Sequence, residues 1–319
     1  MRTLFYGTPS IAVPYLQLAA EESEVAAIIT QPDRPVGRGL ETKPTPVKEA
    51  ALKLKLPVLQ PERPSEIAAQ IKSFDADLGI VIAYGQILKP DALKAARLGH
   101  INVHFSLLPK YRGSAPVPWA LINGETKTGV SLFWLDEGMD TGPLLSQKEA
   151  EILPTENASQ LMEKLEPIGL DLLKTALEQI SHGDYLKTPQ EGAPSYAPLL
   201  KKTDGLIDFE NSAVQIHNLV RGLFIWPRAY FVLRDSSGDK RVSVLQTSLN
   251  SAFSSPFPAP IGTILRVEQQ RGFLLQCGQG SSVWISRVQP EGKSPMGAAE
   301  FLNGRRLTAG HSLPLKRGK

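Results

Sequence analysis

The residues best suited to chemistry lie in INVHFSLLPKYRG, residues 101–113, where polar side chains interrupt a strand-like run. Asn102 and His104 stand two apart, so on a strand their side chains project to one side while Val103 and Phe105 project to the other. A polar pair at the C-terminal end of a strand is where open α/β sheets place their ligands. The same pair also reads as a buried histidine bonded to a neighbouring asparagine. Downstream, TGVSLFWLDEGMDTG ends a second strand-like run with Asp136, Glu137 and Asp140 set around Gly138 and Gly142. Glycines there permit tight turns that bring a carboxylate back over the sheet edge, so Asp140 can reach His104. Asp136 reads instead as a turn aspartate held by its own backbone. An amide, an imidazole and a carboxylate gathered at two strand ends would combine hydrogen-bond donors with a proton acceptor.

Such a set needs a sheet to position it. Short apolar runs at Thr3 to Tyr6, Val25 to Thr30, Val58 to Leu59, Gly79 to Ala83 and His100 to Phe105 alternate with helical patterns, the signature of parallel α/β winding. GIVIA at 79–83 is continuously apolar, as expected of a strand covered on both faces and central to the sheet. Ser10 is placed to cap a helix through Ile11, Tyr15, Leu16 and Ala19. Strands are expected at Gly129 to Leu135 and Gly142 to Lys148, and a helix over Ser159 to Gln179 closes the first domain. The lone glycine of YGTPS offers no GxGxxG, so a dinucleotide site has little support.

From 182 to 204 the chain carries three prolines and no sustained period, which reads as a linker. Beyond it, β-rich runs at Arg228 to Leu233, Arg241 to Gln246, Gly262 to Val267, Phe273 to Cys277 and Ser282 to Val288 predict a barrel of five or six strands. Ser294 and Pro295 would start a short helix through Ala298 to Leu302, and 251–260 reads as a surface loop. The expected domains are a Rossmann-like α/β unit at 1–185, a linker at 186–205 and an all-β, OB-like barrel at 206–319.

Composition narrows the classes. The 319 residues are 42% hydrophobic and 21% charged, which excludes disorder and collagen-like repeats. One cysteine, Cys277, excludes an intrachain disulfide framework, and the five histidines show no ligand spacing. The opening residues carry charges too soon for a secretory signal or a membrane span, so a reducing cytoplasm is the expected setting. The net charge of +3 divides unevenly: residues 1–204 hold 21 Lys+Arg against 25 Asp+Glu, and residues 205–319 hold 14 against 7. A C-terminal part at +7 suits a nucleic-acid partner and equally suits an ordinary solvated surface.

NVHFSLLPKYRGSAP followed by NGETKTGVSLFWLDEGMDTG resembles the signature of the folate-dependent formyltransferase family. The resemblance spans the chain through GTP at 7–9, TQPDRPVGRG at 30–39, IAYGQIL at 82–88, SYAPLLKKTDGLIDF and WPRAYF, in the order of the members that act on methionyl-tRNA. It implies a transferase that moves a formyl group from 10-formyltetrahydrofolate to the α-amino group of methionyl initiator tRNA, for translation initiation. The alternative within the family is a formyltransferase acting on a UDP-amino sugar; a glycinamide ribonucleotide enzyme is disfavoured by length, and a non-catalytic RNA-binding protein by the intact polar set.

The resemblance also assigns roles. Asn102, His104 and Asp140 are implied to be catalytic, Asp140 keeping His104 protonated and receiving the amine proton. Ser106, Leu107, Leu108, Pro109 and Gly85 are implied folate contacts. Arg38, in a long irregular loop that also holds Arg34, Lys43 and Lys48, is the implied tRNA contact, with Arg34 and Lys202 as further candidates beside Lys201, Arg305 and Arg306. No metal, no covalent nucleophile and no membrane are required, and a monomer is expected. Phe105 departs from the family, which usually has glycine or alanine there.

Overall fold

The computed structural model describes residues 1–36, 41–235, 238–249 and 259–315. These form two compact units: 1–116 with 127–151 and 163–198, and 199–319 with 117–126 and 152–162.

The first unit holds a seven-stranded sheet. Its strands are β1 (Arg2–Gly7), β2 (Glu24–Ile29), β5 (Val58–Leu59), β6 (Leu78–Ile82), β7 (His100–His104), β8 (Lys127–Trp134) and β9 (Leu144–Glu151). Their order is β5-β2-β1-β6-β7-β8-β9, with every pair up to β7 parallel and the last two antiparallel. The apolar run at 78–82 is buried throughout and takes the centre of the sheet, as its composition requires. The intervening β3 (Arg34–Val36) and β4 (Glu41–Lys43) form a separate hairpin. The long irregular loop of the sequence reading therefore contains two short paired strands, and Arg38 lies outside the described residues.

Helices α1 (Val13–Glu22), α2 (Pro46–Lys53), α3 (Ala68–Lys72), α4 (Pro90–Leu93), α5 (Pro116–Ile122) and α6 (Ala158–His182) connect the strands. Ser10 does not cap α1 as expected; it opens a 3₁₀ turn at Ser10–Ala12, and α1 starts at Val13 with Pro14 in its first turn, where no amide is needed. Residues 186–198 lie along the first unit: Thr188 exchanges two backbone hydrogen bonds with Leu144, and Arg112 donates its amide to the Ser195 carbonyl while its own carbonyl accepts the Ala197 amide.

In the second unit, β10 (Tyr230–Asp235), β11 (Gly238–Leu249), β12 (Ile264–Glu268), β13 (Gly272–Gln276) and β14 (Ser282–Pro290) run antiparallel in the order β10-β11-β14-β13-β12, with β15 (Met296–Gly297) beside β14. The C-terminal segment bridges the two outer strands' ends, Leu315 to Leu233 and Ser312 to Thr263, so the sheet closes on itself. The sheet encloses Phe231, Leu233, Val242, Phe273, Leu275, Val283 and Ile285 as one core.

A helix absent from the sequence reading, α7 (Ala213–Gly222), covers this core. Ser212 caps it and Gln215 reaches back in a capping box, while Ile216 and Val220 bury its apolar face. At the other end, Ser294 does not cap α8 (Ala298–Asn303): Met296 and Gly297 extend the sheet first, and Gly297 takes the cap position. Most of the expected surface loop at 251–260 falls outside the described residues. No helix among the described residues is long and apolar enough to cross a membrane.

Candidate active site

Strand register decides which residues share the site face. Asn102 pairs with Phe133 and His104 with Ser131 across β7 and β8, so all four side chains lie on one side of the sheet. His104 meets the Phe133 ring edge-on at 6.3 Å. The opposite face belongs to Val103 and Phe105, and Phe105 is buried there against Tyr15 of α1, with ring centroids 6.4 Å apart. Tyr15 in turn donates its hydroxyl to the Glu166 carbonyl of α6 at 3.0 Å. Phe105 thus fills space behind the strand.

Asp140 arrives from the turn after β8. Its Oδ2 lies 3.6 Å from His104 Nδ1 and accepts the Gly113 amide at 2.7 Å. Two backbone features allow this approach. Asp140 sits at φ 54°, a conformation that aspartate tolerates better than most residues. Gly142 passes so close to Trp134 that a Cβ would stand 1.8 Å from its carbonyl oxygen. Asp136, as expected, is a turn residue, accepting from the Gly138 amide at 3.0 Å and the Thr141 hydroxyl at 2.7 Å.

The imidazole is buried, with 7% of the side chain exposed. Its Nε2 is 2.9 Å from the Tyr111 carbonyl, an acceptor only, so Nε2 carries a proton and donates it. A second proton at Nδ1 is favoured by the facing Asp140 carboxylate. Burial opposes it and is the larger effect, so the imidazole is held below its ordinary pKa, with Asp140 and the Tyr111 carbonyl acting only in part against the shift. The lowered pKa favours the neutral imidazole, whereas the resemblance implies one that Asp140 keeps protonated. The amide of Asn102, half-buried on the same face, engages no described group.

Residues 106–110 form the loop that follows. Ser106, Leu108 and Pro109 are buried. The Ser106 hydroxyl donates to the Lys110 carbonyl at 2.6 Å. Leu107 is half-buried and packs over Gly129, where a Cβ would lie 2.5 Å from its Cδ2. The side chains of this run thus largely build the loop itself. Gly85 follows the end of β6 at φ 80°, exposed beside Gln31, whose amide donates to the Tyr84 carbonyl at 2.9 Å. Since β6 and β7 are parallel neighbours, the 83–87 segment leaves the sheet at the same edge as His104.

Four contributors were not visible in the sequence. Tyr111, at φ 59°, turns its carbonyl onto His104. Gln190 donates to the carbonyls of Asp140 and Gly142, both at 2.8 Å, and accepts from Arg112 at 2.6 Å, so a residue of the expected linker steadies the turn that carries Asp140. Ser131 completes the four. Only the polar character of Arg112 and Gln190 could have flagged them, and that does not distinguish them from surface residues.

Arg34 is exposed and ion-paired with Glu62 at 2.8 Å. Lys48 pairs with Asp33. Lys43 is exposed on β4. In the second unit Lys201 and Lys202 are exposed at a 3₁₀ turn, Arg306 is exposed, and Arg305 lies over the Phe301 ring at 5.0 Å.

The described residues contain no group of histidine, cysteine and carboxylate side chains able to hold a metal ion.

Family models described as "Formyl transferase" and "Formyl transferase, C-terminal domain" match residues 1–177 and 199–306. Among curated relatives, the methionyl-tRNA formyltransferases of Elusimicrobium minutum and Sorangium cellulosum are each 43% identical, the match covering 97% of this chain and 98% of theirs. That of Geobacter sulfurreducens is 40% identical, covering 98% and 96%. Among solved structures, a sugar 3N-formyl transferase with dTDP and 5-N-formyl-THF superposes at TM-score 0.66 with 19% identity, covering 92% of this chain and 99% of that one. An N-formyltransferase from Helicobacter canadensis, with folinic acid and dTDP-3-aminofucose, gives 0.66 and 20%, covering 89% and 98%. These two likenesses establish the shared fold.

Proposed function

Because this chain belongs to the formyl transferase family, we propose that it transfers a formyl group from 10-formyltetrahydrofolate to the α-amino group of methionyl initiator tRNA, acting in the cytoplasm as a monomer. Relatives named for that activity at 40–43% identity, matched over nearly their whole length, carry the choice of acceptor. The sugar-nucleotide reading has support only from structures near 20% identity.

The transfer forms a bond between the amine nitrogen and the formyl carbon and breaks the bond from that carbon to N10 of the folate. Between these events the formyl oxygen carries negative charge and the amine nitrogen an excess proton. Asn102, with its amide unengaged, donates to the oxyanion; one such donor in an enclosed site is worth ~3–4 kcal/mol. The amine proton passes to the His104–Asp140 pair at Nδ1 or Oδ2, because Nε2 is already committed to the Tyr111 carbonyl. The pair returns it to the departing N10, so no net proton is gained or lost. The neutral imidazole suits this role, since a group already protonated could not accept.

The residues fit a planar folate head. The segment 83–87, with Ala83, Gly85 and Ile87 exposed, and the loop at 106–110 give two walls beside the half-buried Asn102 amide. Ser106, Leu108 and Pro109 then act through the loop's backbone and shape, and Leu107 through its half-exposed side chain. For the tRNA, the resemblance favours Arg38, with Arg34 and Lys202 contributing charge. The C-terminal domain from residue 206, at +7 from residue 205 onward, adds attraction that weakens with salt.

The deciding experiment supplies 10-formyltetrahydrofolate with charged initiator tRNA and with a UDP-amino sugar in separate reactions. Formylmethionyl-tRNA alone is the expected product. Formylation of the sugar with none of the tRNA overturns the assignment.

A further inference from the structure

Ser131 and Gln147 continue the row of His104 across the sheet: His104 pairs with Ser131 on β8, and Ser131 with Gln147 on β9. All three side chains therefore stand on the site face. Ser131 is fully buried and its hydroxyl makes three hydrogen bonds. It donates to the Ser106 carbonyl at 2.5 Å, accepts the Leu108 amide at 3.0 Å and accepts Gln147 Nε2 at 2.7 Å. The same Gln147 nitrogen donates to the Leu108 carbonyl at 2.9 Å. Two side chains on neighbouring strands thus satisfy three backbone groups of the loop at 106–108. The carboxamide of Gln147 turns inward although the residue is exposed. A surface glutamine gains nothing from that orientation except the contacts it makes there.

We propose that Ser131 and Gln147 are positioning residues for the formyl donor: they fix the 106–110 loop in the shape that binds the folate and take no part in proton transfer or in holding the tRNA. The inference rests on the folate reading of this loop given above. A hydroxyl with donor and acceptors all used cannot also serve the reacting atoms, which separates Ser131 from its neighbour His104. Losing it leaves the Leu108 amide and the Ser106 carbonyl buried with one partner fewer, and the loop relaxes to recover them.

The test measures binding of 5-formyltetrahydrofolate, a donor analogue that cannot complete the transfer, and steady-state formylation, in Ser131→Ala, Ser131→Thr and Gln147→Leu. Ser131→Ala should weaken analogue binding and raise KM for the donor by roughly tenfold or more. Its kcat at saturating donor should change by less than about threefold, and KM for charged tRNA should not move. Ser131→Thr, which keeps the hydroxyl, should restore donor KM. Gln147→Leu, on an exposed position that tolerates change, should show the same selective donor defect more weakly. The double variant Ser131→Ala with Gln147→Leu should be little worse than Ser131→Ala alone, because both act through one network. If Ser131→Ala fails to fold, Gln147→Leu decides alone. Unchanged donor affinity in folded variants, or a fall in kcat with donor KM intact, overturns the positioning role while leaving the formyltransferase assignment standing. A parent protein that binds no folate overturns both.

Discussion

Asp140 faces His104 at 3.6 Å while its carboxylate accepts the Gly113 amide at 2.7 Å, so one side chain ties the turn after β8 to the loop after β7. A separation of 3.6 Å is too long for a formed hydrogen bond between the two. The pair has room to gain a proton during the reaction. Asp140→Asn removes the acceptor and retains the shape, since an amide oxygen still receives the Gly113 amide. Turnover should fall by on the order of 10²–10⁴, with folate binding preserved. Asn102→Ala and His104→Ala should each cost comparably, and the triple variant should be only slightly worse than the worst single one. Near-normal turnover in His104→Ala would remove the mechanism.

The pH profile of kcat/KM tests the protonation state. His104 must be unprotonated to accept, so activity rises with pH through its pKa, and burial sets that acid limb below the ordinary imidazole value. Asp140 opposes the shift, so Asp140→Asn should move the limb further toward acid in whatever activity remains. A parent limb centred above about 6.5 contradicts a buried, neutral histidine.

Gln190 touches no reacting atom, yet it holds the carbonyls of Asp140 and Gly142. Gln190→Ala should therefore reduce kcat, by up to ~10²-fold if the carboxylate moves by about 1 Å, with KM for either substrate little changed. Turnover equal to the parent's would mean that backbone geometry alone places Asp140.

Phe105 is buried against Tyr15 behind the strand. Phe105→Gly should lower stability by ~3–5 kcal/mol in denaturant unfolding, with little effect on folate KM. A large KM change at unchanged stability would put the ring in the pocket.

His100, at the far end of β7, is held at a pKa of about 4 by burial, only partly offset by the Leu93 carbonyl that Nδ1 faces at 3.2 Å. Gly79 pairs with it across β6, and a Cβ there would stand 1.9 Å from the ring. Because the folded pKa is depressed, the unfolded chain binds more protons between about 4 and 6.5. The associated stability is complete above about 6.5 and is lost as pH falls through that window, by roughly 3 kcal/mol in all. Urea unfolding at several pH values should show a steeper acid loss for the parent than for His100→Gln; identical slopes would refute the assignment.

The sheet and its central strand were legible in the sequence because an apolar run such as Leu78–Ile82, buried on both faces, leaves a compositional mark that needs no partner to interpret. The side to which Asn102, His104 and Phe105 point was legible too, since alternation along a strand is a local property. Helix α7 was missed although its capping box, Ser212 with Gln215, stands in plain order, because the β-rich runs around it set the expectation for the whole segment. Only the tertiary structure decided what surrounds each side chain. Neutral His104 follows from enclosure by residues distant in sequence, and desolvation has no local signature. The anchoring of Asp140 by Gln190, fifty positions away, and of the 106–110 loop by Ser131 and Gln147 depends on strand register and chain return, which residue spacing along the sequence does not encode.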